Sequence, residues 1–397
     1  MDSRRIASID GLRTVAILAV VAYHYCYRWG PPVDPESLYP YGTALAGLPG
    51  VRFGAYGVHL FFVISGFVIA MTLERCQTPR EFILRRYARL APAMLLFSGI
   101  TFAAMHLIPR APFPERGVWF LSSITFIDPV HLNRIVPGIG FSSIDGAYWS
   151  LYVEVQFYAL ACLAYFTARD HFRPIIRFLS AIACGLFLVR IPLASPISNN
   201  LLIPPYLPWF LMGVGFHALA LRSEWAAGSC LVSLGTLELV AQDVAGVRAA
   251  VPAGVVMLVP ILFAAALWFR PFVAFLSWRP IVTVGAASYG LYLIHQNVGV
   301  SILHSLPSMG AAAGAIAAVA VAAGCCAVAV ASFRCIETPA SRLIRTRLSS
   351  AAVRERAVAG EWRRARAGEG RQRAAAGQRE VRAMSGAGRF EPRPDAK

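Results

Sequence analysis

Arg13 and His24 stand eleven positions apart inside an otherwise apolar run, from Gly11 to Tyr25. In a helix, eleven steps of roughly 100° bring both to nearly the same face, about 16 Å apart along the axis. An imidazole takes up and returns a proton near neutrality, so His24 suits general-base work. A guanidinium can anchor an anionic donor or stabilise developing negative charge, which suits Arg13. The plainer alternative makes Arg13 a snorkelling interfacial anchor and His24 an interfacial residue. A polar lane along the helix is the reading with chemical consequences, because ionisable groups in a membrane span usually face a partner or a cavity.

A third chemical group is Glu154, in Trp149-Ser150-Leu151-Tyr152-Val153-Glu154. With Tyr148 and Trp149 at an interface, this carboxylate lies on the order of 10 Å inside the membrane. There it needs a cation, hydrogen-bond donors or a proton, and a site-organising role follows. His24, His59, His295 and Glu154 are expected at similar depth toward the outer side. A lone membrane histidine is otherwise a helix-to-helix hydrogen bonder. Ser65 lies in no nucleophile elbow, and with Gly66 it reads as a close-packing site. Arg85, Arg86 and Arg89 can share one helical face at the start of a further span. Such a cluster suits phosphate, and equally suits a plain topological signal.

The elements that position these residues are membrane helices. The chain of 397 residues is 57% hydrophobic and only 15% charged, a membrane composition. Ten helical spans are expected near 12–29, 54–73, 90–108, 147–166, 175–193, 205–221, 226–241, 249–269, 281–303 and 311–333, each about long enough to cross a bilayer. The first is not a signal peptide, since it carries Arg13 internally and ends in Tyr25, Tyr27 and Trp29. Arginine placement puts both termini in the cytoplasm. Arg4, Arg5, Arg75, Arg80, Arg85, Arg86, Arg89, Arg169, Arg173, Arg177, Arg222, Arg270 and Arg279 then fall inside, against Arg28, Arg52, Arg110, Arg116, Arg134 and Arg248 outside.

The formal charge of +16 is no nucleic-acid signal. From Arg345 to Lys397 there are fourteen basic and six acidic residues, so half of the excess lies in a tail of Ala, Gly, Arg and Glu. Residues 6–345 are therefore expected as the integral-membrane domain and 346–397 as a basic, disordered cytoplasmic tail. No cysteine pair has metal-ligand spacing, and no metal is expected.

Taken in order, these segments resemble the acyltransferase-3 membrane proteins, which O-acylate cell-surface carbohydrates and related acceptors. The resemblance covers roughly residues 6–345. It rests on Ile9-Asp10-Gly11-Leu12-Arg13 with His24, Gly57 to Phe67, Arg85 to Pro92, Trp149-Ser150-Leu151 with Glu154 and Phe157-Tyr158, Ser288 to His295, and Glu337-Thr338-Pro339. His59 departs from the pattern, where an aromatic or small residue is usual. Some members carry an added extracytoplasmic esterase-like domain, for which this length leaves no room.

The resemblance implies an all-α polytopic protein of a bacterial-type inner membrane. The donor would be a cytoplasmic acyl-CoA, acetyl-CoA in the simplest case, and the acceptor a hydroxyl of an extracytoplasmic carbohydrate or glycolipid. It gives essential roles to Arg13 and His24 and further ones to Glu154 and to Arg85, Arg86 and Arg89 as the CoA-binding cluster. A transient acyl-histidine is a second route, and a secondary transporter of a small polar solute is the competing class.

Overall fold

The computed structural model describes residues 7–188, 203, 205–244, 251–344, 346–347 and 377. The tail expected at 346–397 lies almost wholly outside these residues, as do 189–193 of the fifth expected span, Arg4, Arg5 and Arg248. Met1–Ser341 form one compact unit and Arg342–Lys397 a second.

Every regular element among the described residues is helical. Helices α1 (Ala7–Cys26), α2 (Gly57–Leu73) and α3 (Pro79–Leu107) come first. Short helices α4 (Phe120–Thr125) and α5 (Pro129–Ile135) cross the following loop. Then come α6 (Trp149–Thr167), α7 (Phe172–Leu188), α8 (Leu207–Leu221), α9 (Trp225–Val244), α10 (Ala253–Trp268) and α11 (Arg270–Leu276). The chain continues through α12 (Arg279–Ala286), α13 (Ser288–Ile294), α14 (Asn297–Ser305) and α15 (Ala311–Ser332), which runs into a π-helical turn, Phe333–Glu337.

Local sequence explains the best-defined start. The Thr78 hydroxyl accepts from the Glu81 amide at 3.2 Å, and the Glu81 carboxylate accepts from the Gln77 amide at 2.8 Å. Pro79 fills the first helical position, where no amide hydrogen is needed. That cap sets the register of α3 and hence where its arginines point.

By length and apolar character, Ala7–Cys26, Val51–Leu73, Pro79–Leu107 and Ala311–Ile344 can each cross a bilayer. Ala253–Trp268 with Arg270–Leu276 adds a broken span bent by 87°. The protein is a multi-pass membrane protein. The expected continuous span at 281–303 is corrected: the structure divides it into α12, α13 and α14, broken at Ala287 and again at His295–Gln296.

Close helix contact builds the interior. Helix α8 is the most enclosed element, buried along Leu207–Leu219, and it packs on both α2 and α9. A Cβ on Gly66 would collide with the Phe210 carbonyl, and one on Gly213 with the Val63 carbonyl. The two backbones therefore meet directly, as small residues permit in membranes. Helix α1 packs against α2, α12 and α13, and its C-terminal end lies beside the second break.

Candidate active site

His24 lies in the last turn of α1 and is half-buried. Its Nδ1 is 2.9 Å from the Val20 carbonyl oxygen, which can only accept, so Nδ1 carries the hydrogen. The same nitrogen is 3.3 Å from Nε2 of His295, and the two rings meet edge to face at 4.9 Å. The Gln296 side chain is a hydrogen-bonding neighbour of the ring. With the hydrogen on Nδ1, Nε2 of the neutral imidazole is the acceptor nitrogen.

His295 is fully buried at the break between α13 and α14. Breaking a helix frees backbone carbonyls at its end. Here the His295 side chain takes one, with Nδ1 donating to the Tyr292 carbonyl at 2.7 Å, and the Tyr148 hydroxyl takes another, donating to Leu293 at 3.2 Å. Tyr292 is itself pinned, donating to the Ala147 carbonyl at 2.7 Å and accepting from Ser150 at 2.8 Å.

A carboxylate clasps the break from the loop before α6. Asp145 caps the turn Gly146–Tyr148, accepting from the Ala147 amide at 2.7 Å and from the Asn297 amide at 2.8 Å. The Asn297 side chain donates to the Ile144 carbonyl at 3.1 Å and to Glu115 at 3.3 Å. Burial pushes the Asp145 carboxyl up to about 7 against the pull of its two amide donors. Burial first, and the Asp145 charge second, push Glu115 up to about 8.

Glu154 does not join this pair. It accepts from the Ser65 hydroxyl at 2.5 Å and from the Tyr158 hydroxyl at 2.6 Å, and Tyr158 in turn accepts from the Arg86 guanidinium. The similar depth expected for His24, His59 and Glu154 does not make Glu154 a hydrogen-bond partner of either histidine. The carboxylate belongs to a chain that leads back to α3, because Tyr158, one turn on, reaches it first. His59 sits among Tyr56, Phe62, Tyr206 and Trp209, its ring 5.0 Å from that of Trp209.

The arginine cluster also divides. Arg85 pairs with Glu81 at 2.6 Å near the surface. Arg86 lies over the Tyr158 ring at 4.5 Å. Arg89 pairs with the buried Glu337 at 3.7 Å, and Glu337 also accepts from Ser332 at 3.2 Å. Three guanidinium groups at neighbouring positions thus serve three directions, since 85 and 86 differ by about 100° around the helix. Arg13 lies at the opposite end of α1 from His24, 3.5 Å from Asp10. No cluster of metal-ligating side chains occurs among the described residues.

The model of a family described as an acyltransferase domain matches residues 6–333. The chain belongs to this acyltransferase-3 family. It is 26% identical over 341 residues to O-acetyltransferase OatA of Staphylococcus aureus, covering 74% of this chain and 51% of that protein. It is 29% identical over 167 residues to peptidoglycan O-acetyltransferase OatA of Listeria monocytogenes, covering 39% and 23%. It is 29% identical over 169 residues to the putative peptidoglycan O-acetyltransferase YrhL of Bacillus subtilis, covering 40% and 23%. This acyltransferase-3 chain thus spans about half or less of the length of these curated relatives. No solved structure matches it.

His295 was expected at this depth, but its contact with His24 and its partners Tyr292, Asp145 and Asn297 were not foreseen. Their signal was a polar triplet, His295-Gln296-Asn297, inside an apolar span.

Proposed function

We propose that the protein is a membrane O-acyltransferase that moves an acetyl group from cytoplasmic acetyl-CoA to a hydroxyl of an extracytoplasmic carbohydrate. The single observation that carries this reading is the fixed tautomer of His24, whose Nε2 is left as the acceptor nitrogen beside His295 at the end of α1. The acetyltransferase names of the relatives support the acyl group and the carbohydrate class of acceptor. The topology adopted is the ten-span arrangement with both termini in the cytoplasm.

In this reading His24 Nε2 accepts the acceptor's hydroxyl proton as the oxygen attacks the thioester carbon. The C–S bond breaks, and the CoA thiolate recovers the proton from the imidazolium. General-base assistance of this kind is worth about 100-fold or more. Arg85 receives the CoA phosphates at the cytoplasmic end, Arg86 and Arg89 hold α3 in place beside it, and Arg13 lies along the path of the donor. Glu154 orders the chain of hydroxyls between the two ends.

The test supplies isotopically labelled acetyl-CoA to the cytoplasmic face of inverted vesicles with and without the protein. Base-labile label on envelope carbohydrate, dependent on the protein, is the expected result. Absence of transferred label from vesicles holding folded protein would overturn the proposal.

A further inference from the structure

We propose that His295 is a positioning residue for His24: it holds the His24 tautomer and shares the proton-bearing nitrogen during the transfer. This deepens the reading of His24 as general base and rests on it.

Two carbonyl groups fix two tautomers. The Tyr292 carbonyl can only accept, so His295 Nδ1 carries the hydrogen and His295 Nε2 is a bare acceptor. The Val20 carbonyl likewise assigns the hydrogen to His24 Nδ1. That N–H faces His295 Nε2 at 3.3 Å, so its bonding is shared between a carbonyl and an imidazole. Both assignments agree, and together they leave the His24 lone pair on Nε2. In the other tautomer Nε2 would carry the hydrogen and could accept nothing. That tautomer would also set the bare Nδ1 against the bare Nε2 of His295 and against a carbonyl oxygen.

Once Nε2 takes a proton, the His24 ring is cationic and its Nδ1–H becomes a charge-assisted donor. His295 Nε2 and the Val20 oxygen then stabilise it without moving. A buried carboxylate does this in the hydrolase triad, where losing the orienting acceptor costs about 10⁴ in kcat. His295 offers a neutral acceptor, so a smaller effect, about 100-fold, is expected. The other groups facing the pair are Tyr23 and Arg28 from the α1 side, Tyr292 from α13, and Gln296 at the break. Among these, His295 meets Nδ1 of His24 at 3.3 Å, and the Gln296 side chain is a second hydrogen-bonding neighbour of the ring.

The rigidity of His295 has a visible cause. Its backbone lies between Tyr292, tied to α6 through Ala147 and Ser150, and Asn297, tied to Asp145. Both anchors reach the loop and helix start around 144–150, so one segment sets the ring from two sides.

The experiment compares His295→Gln with His295→Asn in inverted vesicles given labelled acetyl-CoA. The acceptors are the vesicles' own envelope carbohydrates. An Asn amide sits where Nδ1 was, keeps the Tyr292 bond and falls short of His24. A Gln side chain reaches the place of Nε2 and its oxygen can accept from His24. Asn is expected to lower kcat about 100-fold with the acetyl-CoA KM within a few-fold, and Gln to recover about 10-fold of that. His24→Ala combined with His295→Asn is expected to be no slower than His24→Ala alone, since the two act as one unit.

Equal rates for Asn and Gln, near-normal rates for both, or full additivity in the double variant would overturn the proposal. If the Asn variant does not accumulate, His295→Leu supplies the same contrast with Gln. Failure of the underlying reading looks different: His24→Ala would then itself retain transfer. Loss of transfer in His24→Ala without the Gln-over-Asn order removes only the role of His295.

Discussion

The His24 end of α1 and the arginine stretch of α3 are built in opposite ways. At the His24 end Nε2 is left as an acceptor, while Nδ1 is bonded twice. At the α3 end each of the three arginines already has a protein partner: Glu81, Tyr158 or Glu337. A group that takes a proton must keep an open lone pair. A group that greets an anion can start paired, provided the pair is cheap to exchange. Exposed ion pairs are worth about 0–1 kcal/mol, and Arg85, with 43% of its side chain exposed, is the member of the trio that best meets that condition. Arg86 and Arg89 are set deeper and read better as struts that tie α3 to α6 and to the π-turn.

The largest expected effect breaks the chemical end. His24→Ala should lower acyl transfer about 100-fold or more while insertion and donor binding persist. Transfer per folded molecule measures it, and near-normal transfer would remove the chemistry from this end of the comparison.

The struts come next. Tyr158→Phe deletes the hydroxyl that bonds both Glu154 and Arg86, and Arg89→Gln leaves Glu337 buried without its cation. Each should cost about 1–3 kcal/mol, read as a lower thermal midpoint in detergent. Arg85→Gln should instead leave the midpoint unchanged and raise the acetyl-CoA KM. If Arg85→Gln destabilises and Arg89→Gln does not, the assignment of strut and receptor is reversed.

A smaller effect concerns the clasp around Asp145 and Asn297. Folding raises the Glu115 carboxyl to about 8 and Asp145 to about 7. Between ordinary carboxyl values near 4 and these raised ones, the folded state binds more protons than the unfolded state. Stability therefore falls as pH rises through about pH 4–8 and levels off above. Glu115→Gln keeps an oxygen for Asn297 but cannot ionise, so its midpoint should fall less over that window. Parallel slopes for the two proteins would show that Glu115 does not titrate there.

The smallest effect is expected from the tail. Truncation after Arg345 should leave transfer per folded molecule close to that of the full chain, because every residue argued above precedes it. Complete loss despite normal folding would place function in a region the comparison omits.

Helical membrane character was legible from the recurring apolar runs, and His24 and Glu154 from their cost inside such runs. Their partners were not. Depth along a span can be counted at 1.5 Å per residue, but the direction a helix faces is set by close contacts such as Gly66 with Phe210. Hence the depth of Glu154 could be counted, but its partners Tyr158 and Ser65 could not. The break at His295–Gln296 was hidden for a different reason. It contains neither glycine nor proline, and the bonds that hold it come from Asp145, more than a hundred positions earlier in the chain.

That origin of the break bears on how the protein is made. A segment without a local helix breaker enters the membrane most cheaply as an unbroken helix, with its backbone hydrogen bonds satisfied internally. Breaking it uses partners from elsewhere in the chain, Tyr148 and Asp145, besides the His295 ring itself. The chain up to Tyr148, including Asp145, is synthesised before residue 297 emerges. The break is therefore expected to form when the late segment docks on the early one, so that membrane insertion and the pairing of His295 with His24 are separable steps.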